Sequence, residues 1–145
     1  MARGGDPSLF PPRLFCDTSF FYACLDPNDA NHERAREASR RAAMAHSRLH
    51  ATWDVVSETA TLLRYRCGYN AAASFITTIR PLLSMAALDD HARAEAERLF
   101  LSRGRVLRLS MCDAVSYVAV TKVLGGIPCL SFDRDFRGLG LNMTC

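Results

Sequence analysis

Long apolar runs, lysine and paired cysteines are what this 145-residue chain has least of. No stretch approaches the roughly 18 apolar residues that span a bilayer, and residues 1–12 have no apolar core of the kind a signal peptide carries. The chain therefore reads as cytosolic, with no membrane partner. Its six cysteines, Cys16, Cys24, Cys67, Cys112, Cys129 and Cys145, contain no C-x-x-C pair and lie mostly in apolar runs. There a thiol behaves as a small hydrophobe, so they read as reduced core residues rather than a disulfide framework. No Gly-rich phosphate loop with lysine and no G-x-S-x-G elbow appears, which removes P-loop and α/β-hydrolase chemistry.

What is present suits one domain. A chain of this length buries about 68–70% of the surface its unfolded form exposes and needs no metal or disulfide to fold. Lys122 is the only lysine among 18 basic residues; arginine forks match phosphate, although a GC-rich genome accounts for such a bias equally well. With four of the 15 acids gathered into one cleft, those 18 bases face the remaining 11, a surface suited to a polyanion.

The chain is organised around residues 13–22, where an apolar run delivers Asp17, Thr18 and Ser19 and turns straight into another apolar segment. A short apolar run ending in a turn signal reads as a buried strand, and its terminal acid as a group at the carboxyl edge of a parallel sheet. Residues 1–12, with Gly4-Gly5 and Pro11-Pro12, form a flexible lead-in, and residues 13–145 a single domain. After the first strand come a short helix at 20–25, a turn at 26–29 and a helix to about Ala45 capped by Asn28 or Asp29. A strand at 49–52 leads to a helix capped by Thr52 and running through Arg66, with Glu58 one turn past the cap. Residues 70–80 predict a helix stopped by Pro81, and 82–88 a strand. Asp89-Asp90 opens a helix through Ser102 with Gly104 beyond its end, and 106–109 is extended. Ser110 caps a helix through Leu124, and 127–131 is a strand whose Pro128 delays its start. It places Asp133 just past its end, and 141–144 reads as a last edge strand. Alternating strands and helices imply right-handed crossovers and a central, mostly parallel sheet: an α/β fold, a three-layer α/β/α sandwich.

On that layout Asp17 and Asp133 follow strands, while Glu58 and Asp113 lie near the starts of helices. All four can face one edge. Two carboxylates about 4 Å apart repel by about 4 kcal/mol at an effective dielectric of 20, so four ionised acids in one cleft require protonation or a divalent cation. Oxygen ligands without His or Cys suit Mg²⁺ or Mn²⁺, the equipment for metal-assisted hydrolysis of a phosphodiester. Each acid also has a plainer use: Ser110-x-x-Asp113 matches a capping box, Asp133 can cap a short segment at 134–138, and Glu58 can be an exposed helix residue. His46 and His50 lack the Glu of H-E-x-x-H, and Ser19 stands where a dehalogenase-type phosphatase has its second acid.

The same segments carry a resemblance. Phe15-Cys16-Asp17-Thr18-Ser19, Val56-Ser57-Glu58-Thr59, Leu109-Ser110-Met111-Cys112-Asp113-Ala114 and Ser131-Phe132-Asp133-Arg134-Asp135-Phe136 are similar to the four signature segments of PIN-domain ribonucleases. They resemble most the VapC-type toxins of toxin–antitoxin pairs, as does the turn at 26–35. The resemblance implies Mg²⁺- or Mn²⁺-dependent RNA cleavage with Asp17, Glu58 and Asp113 holding the metal and Asp133 as a fourth acid. Thr18, Ser19 and Ser131 supply hydroxyls; Asp135 is the alternative fourth acid or stands behind Asp133. It also implies a small antitoxin partner and a homodimer, with residues 54–66, Tyr65, Tyr69 and Phe75 as groove material. A housekeeping RNA-processing nuclease, or a non-catalytic RNA-binding or scaffold module whose acids only cap helices, are the competing readings.

Overall fold

The computed structural model describes residues 10–145. Most of the expected lead-in, residues 1–9, lies outside the described residues. Residues 10–12, expected to be flexible, belong instead to the packed domain: Phe10 is buried beneath the Arg41 guanidinium at 4.7 Å. The Pro11 and Pro12 carbonyls accept from Ser47 Oγ at 2.6 Å and Arg48 N at 2.8 Å.

Strand β1, Arg13–Cys16, has Leu14, Phe15 and Cys16 wholly buried, the continuous apolar run of a strand covered on both faces. Helices α1, Thr18–Leu25, and α2, His32–Met44, lead to β2, Arg48–Ala51. Helix α3, Trp53–Cys67, begins where Thr52 Oγ1 accepts from Val55 N at 3.2 Å. It is followed by α4, Tyr69–Ser74, and by β3, Ser84–Met85. Helices α5, Asp90–Leu107, and α6, Met111–Val118, precede β4, Cys129–Leu130, and the short α7, Arg134–Arg137.

All pairings are parallel and the order is β3-β2-β1-β4. The chain winds outward from β1 to β3 and then returns to the other side of β1. With right-handed crossovers, opposite winding directions put the connecting helices on opposite faces. The reversal falls between β1 and β4, whose registers match Phe15 to Cys129 and Cys16 to Leu130. A crevice opens beyond the carboxyl ends of strands at such a point. Beneath it Phe15, Phe20, Phe75 and Phe136 fill the core, and a satellite cluster of Ala92, Ala96, Ala114, Val115 and Val118 joins α5 to α6. No helix among the described residues is long and apolar enough to cross a membrane.

Several boundaries differ from expectation. Helix α2 starts at His32, after Asn31, and Asp29 instead closes a turn by accepting from Asn31 N at 2.8 Å. The helix predicted at 70–80 relaxes after Ser74 into a wider turn, Phe75–Ile79, and a tight one, Arg80–Leu82. Thr77 and Thr78 Oγ1 bond the carbonyls of Ala73 and Ser74, a back-bonding that loosens a helix. The helix after Ser110 also widens, at Ala119–Val123, where Thr121 Oγ1 bonds Tyr117 O at 2.7 Å. The strand predicted at 82–88 pairs only over Ser84–Met85. Helix α5 runs through Gly104 to Leu107, so Val106 is helical rather than extended. The last edge strand reduces to one bridge, Cys129 to Met143. Cys67 is exposed and Cys24, Cys112 and Cys145 are half-buried, so only Cys16 and Cys129 are core thiols.

Candidate active site

The switch-point crevice is a cleft of about 400 Å³ lined by Asp17, Thr18, Ser19, Glu58, Asp113 and Asp133. Four elements therefore bring the four expected acids to one place. Asp17 occupies the N-cap position of α1 yet makes no cap hydrogen bond with its side chain. Its Oδ2 instead receives Ser19 Oγ at 3.0 Å and Ser131 Oγ at 2.9 Å. Each hydroxyl has one proton to give, and each accepts a backbone amide: Phe132 N at 2.9 Å on Ser19, Asp133 N at 3.1 Å on Ser131. With both protons on Asp17, the 3.1 Å approach of the two hydroxyls is a contact and not a third bond. The ends of β1 and β4 are thus laced together through one carboxylate oxygen.

Electrostatics make this carboxylate unusual. Asp17 is 3% exposed, and burial, opposed by the Ser131 hydroxyl and reinforced by the charge of Asp113, pushes its pKa up to about 6. Burial likewise raises Asp113, with Asp133 and Glu58 adding to the effect and the bonds from Ser110 opposing it. Glu58, half-buried on α3, faces the Cys112 thiol, whose pKa burial and then the Glu58 charge raise.

The plainer uses are also met. Ser110 N donates to Asp113 Oδ2 at 2.9 Å while Asp113 N donates to Ser110 Oγ at 3.0 Å, a complete capping box. Asp133 Oδ1 accepts from Asp135 N at 2.9 Å and caps α7. Capping fixes these acids at the cleft wall without consuming both oxygens, so the two roles coexist. Asp135 does not line the cleft and contributes only its amide. Ser131 lies just behind the wall, fully buried.

The sequence missed Asp29, Asn31, Tyr22, Arg66, Phe132 and Arg108 as cleft residues; with Leu62 and Ser110 they complete the lining. The spacing of Glu58, Leu62 and Arg66 at fourth positions on α3 is a signal that could have found Arg66. His50 is not near this set; it is buried on β2 beside Arg13, whose Nε lies 3.4 Å from its Nε2.

The lining suits a hard divalent cation. Its donors are oxygens, and Thr18 Oγ1 is buried in the wall without a hydrogen-bond partner. Among the described residues no three His, Cys, Asp or Glu side chains already close on a common point. Mg²⁺ asks for no such cage, since it binds through one or two carboxylates, its own waters and substrate phosphate.

Comparison with known proteins bears on the family and the fold. A family model described as the PIN domain matches residues 14–140. The 23S rRNA-specific endonuclease VapC20, from two strains of Mycobacterium tuberculosis, is 34% identical over 132 residues, 88% of this chain and 94% of the relative. The crystal structure of Mycobacterium tuberculosis VapC20, described as a sarcin–ricin-loop-cleaving toxin, matches with a TM-score of 0.75. Identity there is 25%, over 88% of this chain and 95% of that one.

Proposed function

The chain belongs to the PIN-domain family, and from that premise we propose that it is a Mg²⁺- or Mn²⁺-dependent endoribonuclease, the VapC-type toxin of a toxin–antitoxin pair. One observation carries the reading: the four expected carboxylates, from four elements, line a single cleft at the β1/β4 switch point, with Asp29 as a fifth. The resemblance to an rRNA endonuclease supports RNA as the substrate and makes 23S rRNA the first RNA to test.

Asp17, Glu58 and Asp113 would hold the cation, with Asp133 beside them. A bound divalent cation neutralises charge on the scissile phosphate and lowers the pKa of water. Ser19 and Ser131 fix the Asp17 rotamer and oppose its tendency to stay protonated, because a carboxylate that accepts two hydroxyls is favoured in its charged form. Asp133 orients the attacking water, and its backbone bond to Ser131 ties that orientation to Asp17. Thr18, in the cleft wall, keeps a buried hydroxyl that no other group among the described residues engages.

The capping bonds of Asp113 and Asp133 favour the rival reading, an RNA-binding module without catalysis. Asp17 argues against it: its side chain caps no helix, and the two serine hydroxyls that it accepts could be received by an uncharged side chain without the cost of holding a charge out of water. Exposed apolar side chains suit the expected partners: Tyr65 and Tyr69 around the end of α3 for an antitoxin, Leu101 and Val106 on α5 for a second copy. Six unpaired cysteines agree with a reducing cytoplasm.

The test is incubation of the purified protein with 23S rRNA and total RNA, with Mg²⁺, Mn²⁺ or EDTA. Cleavage requiring the cation, and falling by at least about 10²–10³-fold in Asp17→Asn, is the expected result. Equal cleavage by Asp17→Asn, or RNA binding without cleavage under every cation, overturns the assignment.

A further inference from the structure

Arg66 and Arg108 line the acidic cleft, yet among the described residues neither forms an ion pair. A guanidinium that served to neutralise these acids would close on one of them as a bidentate fork. Arg66 instead lies over the Tyr22 ring at 5.3 Å. It sits eight residues beyond Glu58 on α3, about 12 Å further along the axis by helical rise. That offset takes it out of reach of the acid while keeping it on the same face of the cleft.

Arg108 is the more informative of the two. It follows α5 with φ 57 and ψ 37, in the left-handed region, and Leu109 N bonds Gly104 O at 2.9 Å in the pattern of a Schellman terminus. Glycine is the residue this position prefers, and it would end the helix with less strain. What arginine adds is an exposed charge at the rim, two residues before the Ser110–Asp113 capping box.

We propose that Arg108 and Arg66 bind the RNA phosphates flanking the scissile one, aligning the strand across the acids. The inference rests on the ribonuclease reading and deepens it. The acids repel a polyanion, and two unpaired guanidiniums on α3 and past α5 supply the attraction that brings it in. The interaction is with the RNA backbone and carries no sequence preference.

The experiment compares wild type with Arg108→Gly, Arg108→Asn and Arg66→Gln in three measurements. Thermal melting should leave Arg108→Gly unchanged or stabilised by up to about 4 °C, since the strain is removed. Binding of a fluorescein-labelled RNA hairpin in EDTA should weaken about tenfold or more. The slope of log affinity against log salt should fall by about 0.7 for each phosphate no longer neutralised. With Mn²⁺, KM for total RNA should rise by a similar factor. Arg108→Asn, which also accepts left-handed backbone, repeats the test if the glycine variant fails to fold. Wild type that cleaves RNA beside variants with unchanged salt slope and KM overturns the phosphate role alone. Wild type that cleaves no RNA, or no better than Asp17→Asn, overturns the ribonuclease reading itself.

Discussion

Burial does opposite things in the sheet's interior and at its carboxyl edge. In the interior Phe15 is fully buried, with its ring parallel to that of Phe136 and centroids 6.4 Å apart; every carbon removed from water there favours the fold. Two residues further along the same chain, Asp17 is almost as enclosed, and enclosure raises its pKa to about 6. The stability of the interior offsets what it costs to hold charge out of water at the edge. A local rule is broken at the edge, and the strand below makes the breach tolerable.

Phe15→Ala should break the interior side of this contrast and have the largest effect. A loss of about 3–5 kcal/mol in urea unfolding is expected, with activity lost only as the protein unfolds. Asp17→Asn should act in the opposite direction. The native pKa of Asp17 lies above the roughly 3.9 of an unfolded chain, so the native state binds the extra proton between about pH 4 and 6. In EDTA, wild-type stability should therefore decline on the order of 3 kcal/mol from this group as pH rises through that window. Asp17→Asn should flatten the decline and be the more stable protein at pH 7. A variant less stable than wild type at pH 7 would show that burial does not disfavour the charge.

Ser131→Ala removes a hydroxyl that holds Asp17 in its charged form. With Asp17 holding the cation as proposed, cleavage should drop about 10–100-fold, the usual effect of deleting a hydrogen-bond partner of a metal ligand. The acid limb of the pH–rate profile should move to higher pH, because the hydroxyl's depressing effect on Asp17 is gone. Asp135→Asn should do least. Its amide, not its carboxylate, is what Asp133 uses, so activity and stability should stay within about 0.5 kcal/mol of wild type.

Much of the site is legible in the sequence because its determinants are local. The apolar run into Asp17, the Thr52 cap that starts α3 and the Ser110–Asp113 box each occupy a few consecutive residues, and the structure contains all three. Choosing Asp133 over Asp135 from its nearness to the strand end also agrees with which of them lines the cleft. Gly104 misleads. It has the place of a helix stop, but the Phe100 ring packs over it, 3.3 Å from where a Cβ would stand, and α5 continues for another turn. The terminus on which Arg108 sits is hidden from the sequence for that reason. The composition of residues 82–88 predicts a strand, whereas the pairing partner β2 engages only Ser84 and Met85.

The order of buried strands and capped helices is written in the chain itself, because apolar spacing and capping chemistry depend on neighbours within a few positions. Which strands lie side by side is not. Only the placement of β4 against β1 joins Asp17 to Ser131 and Asp133, more than a hundred residues further along the chain, in one hydrogen-bonded group. Bringing them together requires the whole sheet to assemble, and burial against that sheet gives Asp17 its raised pKa.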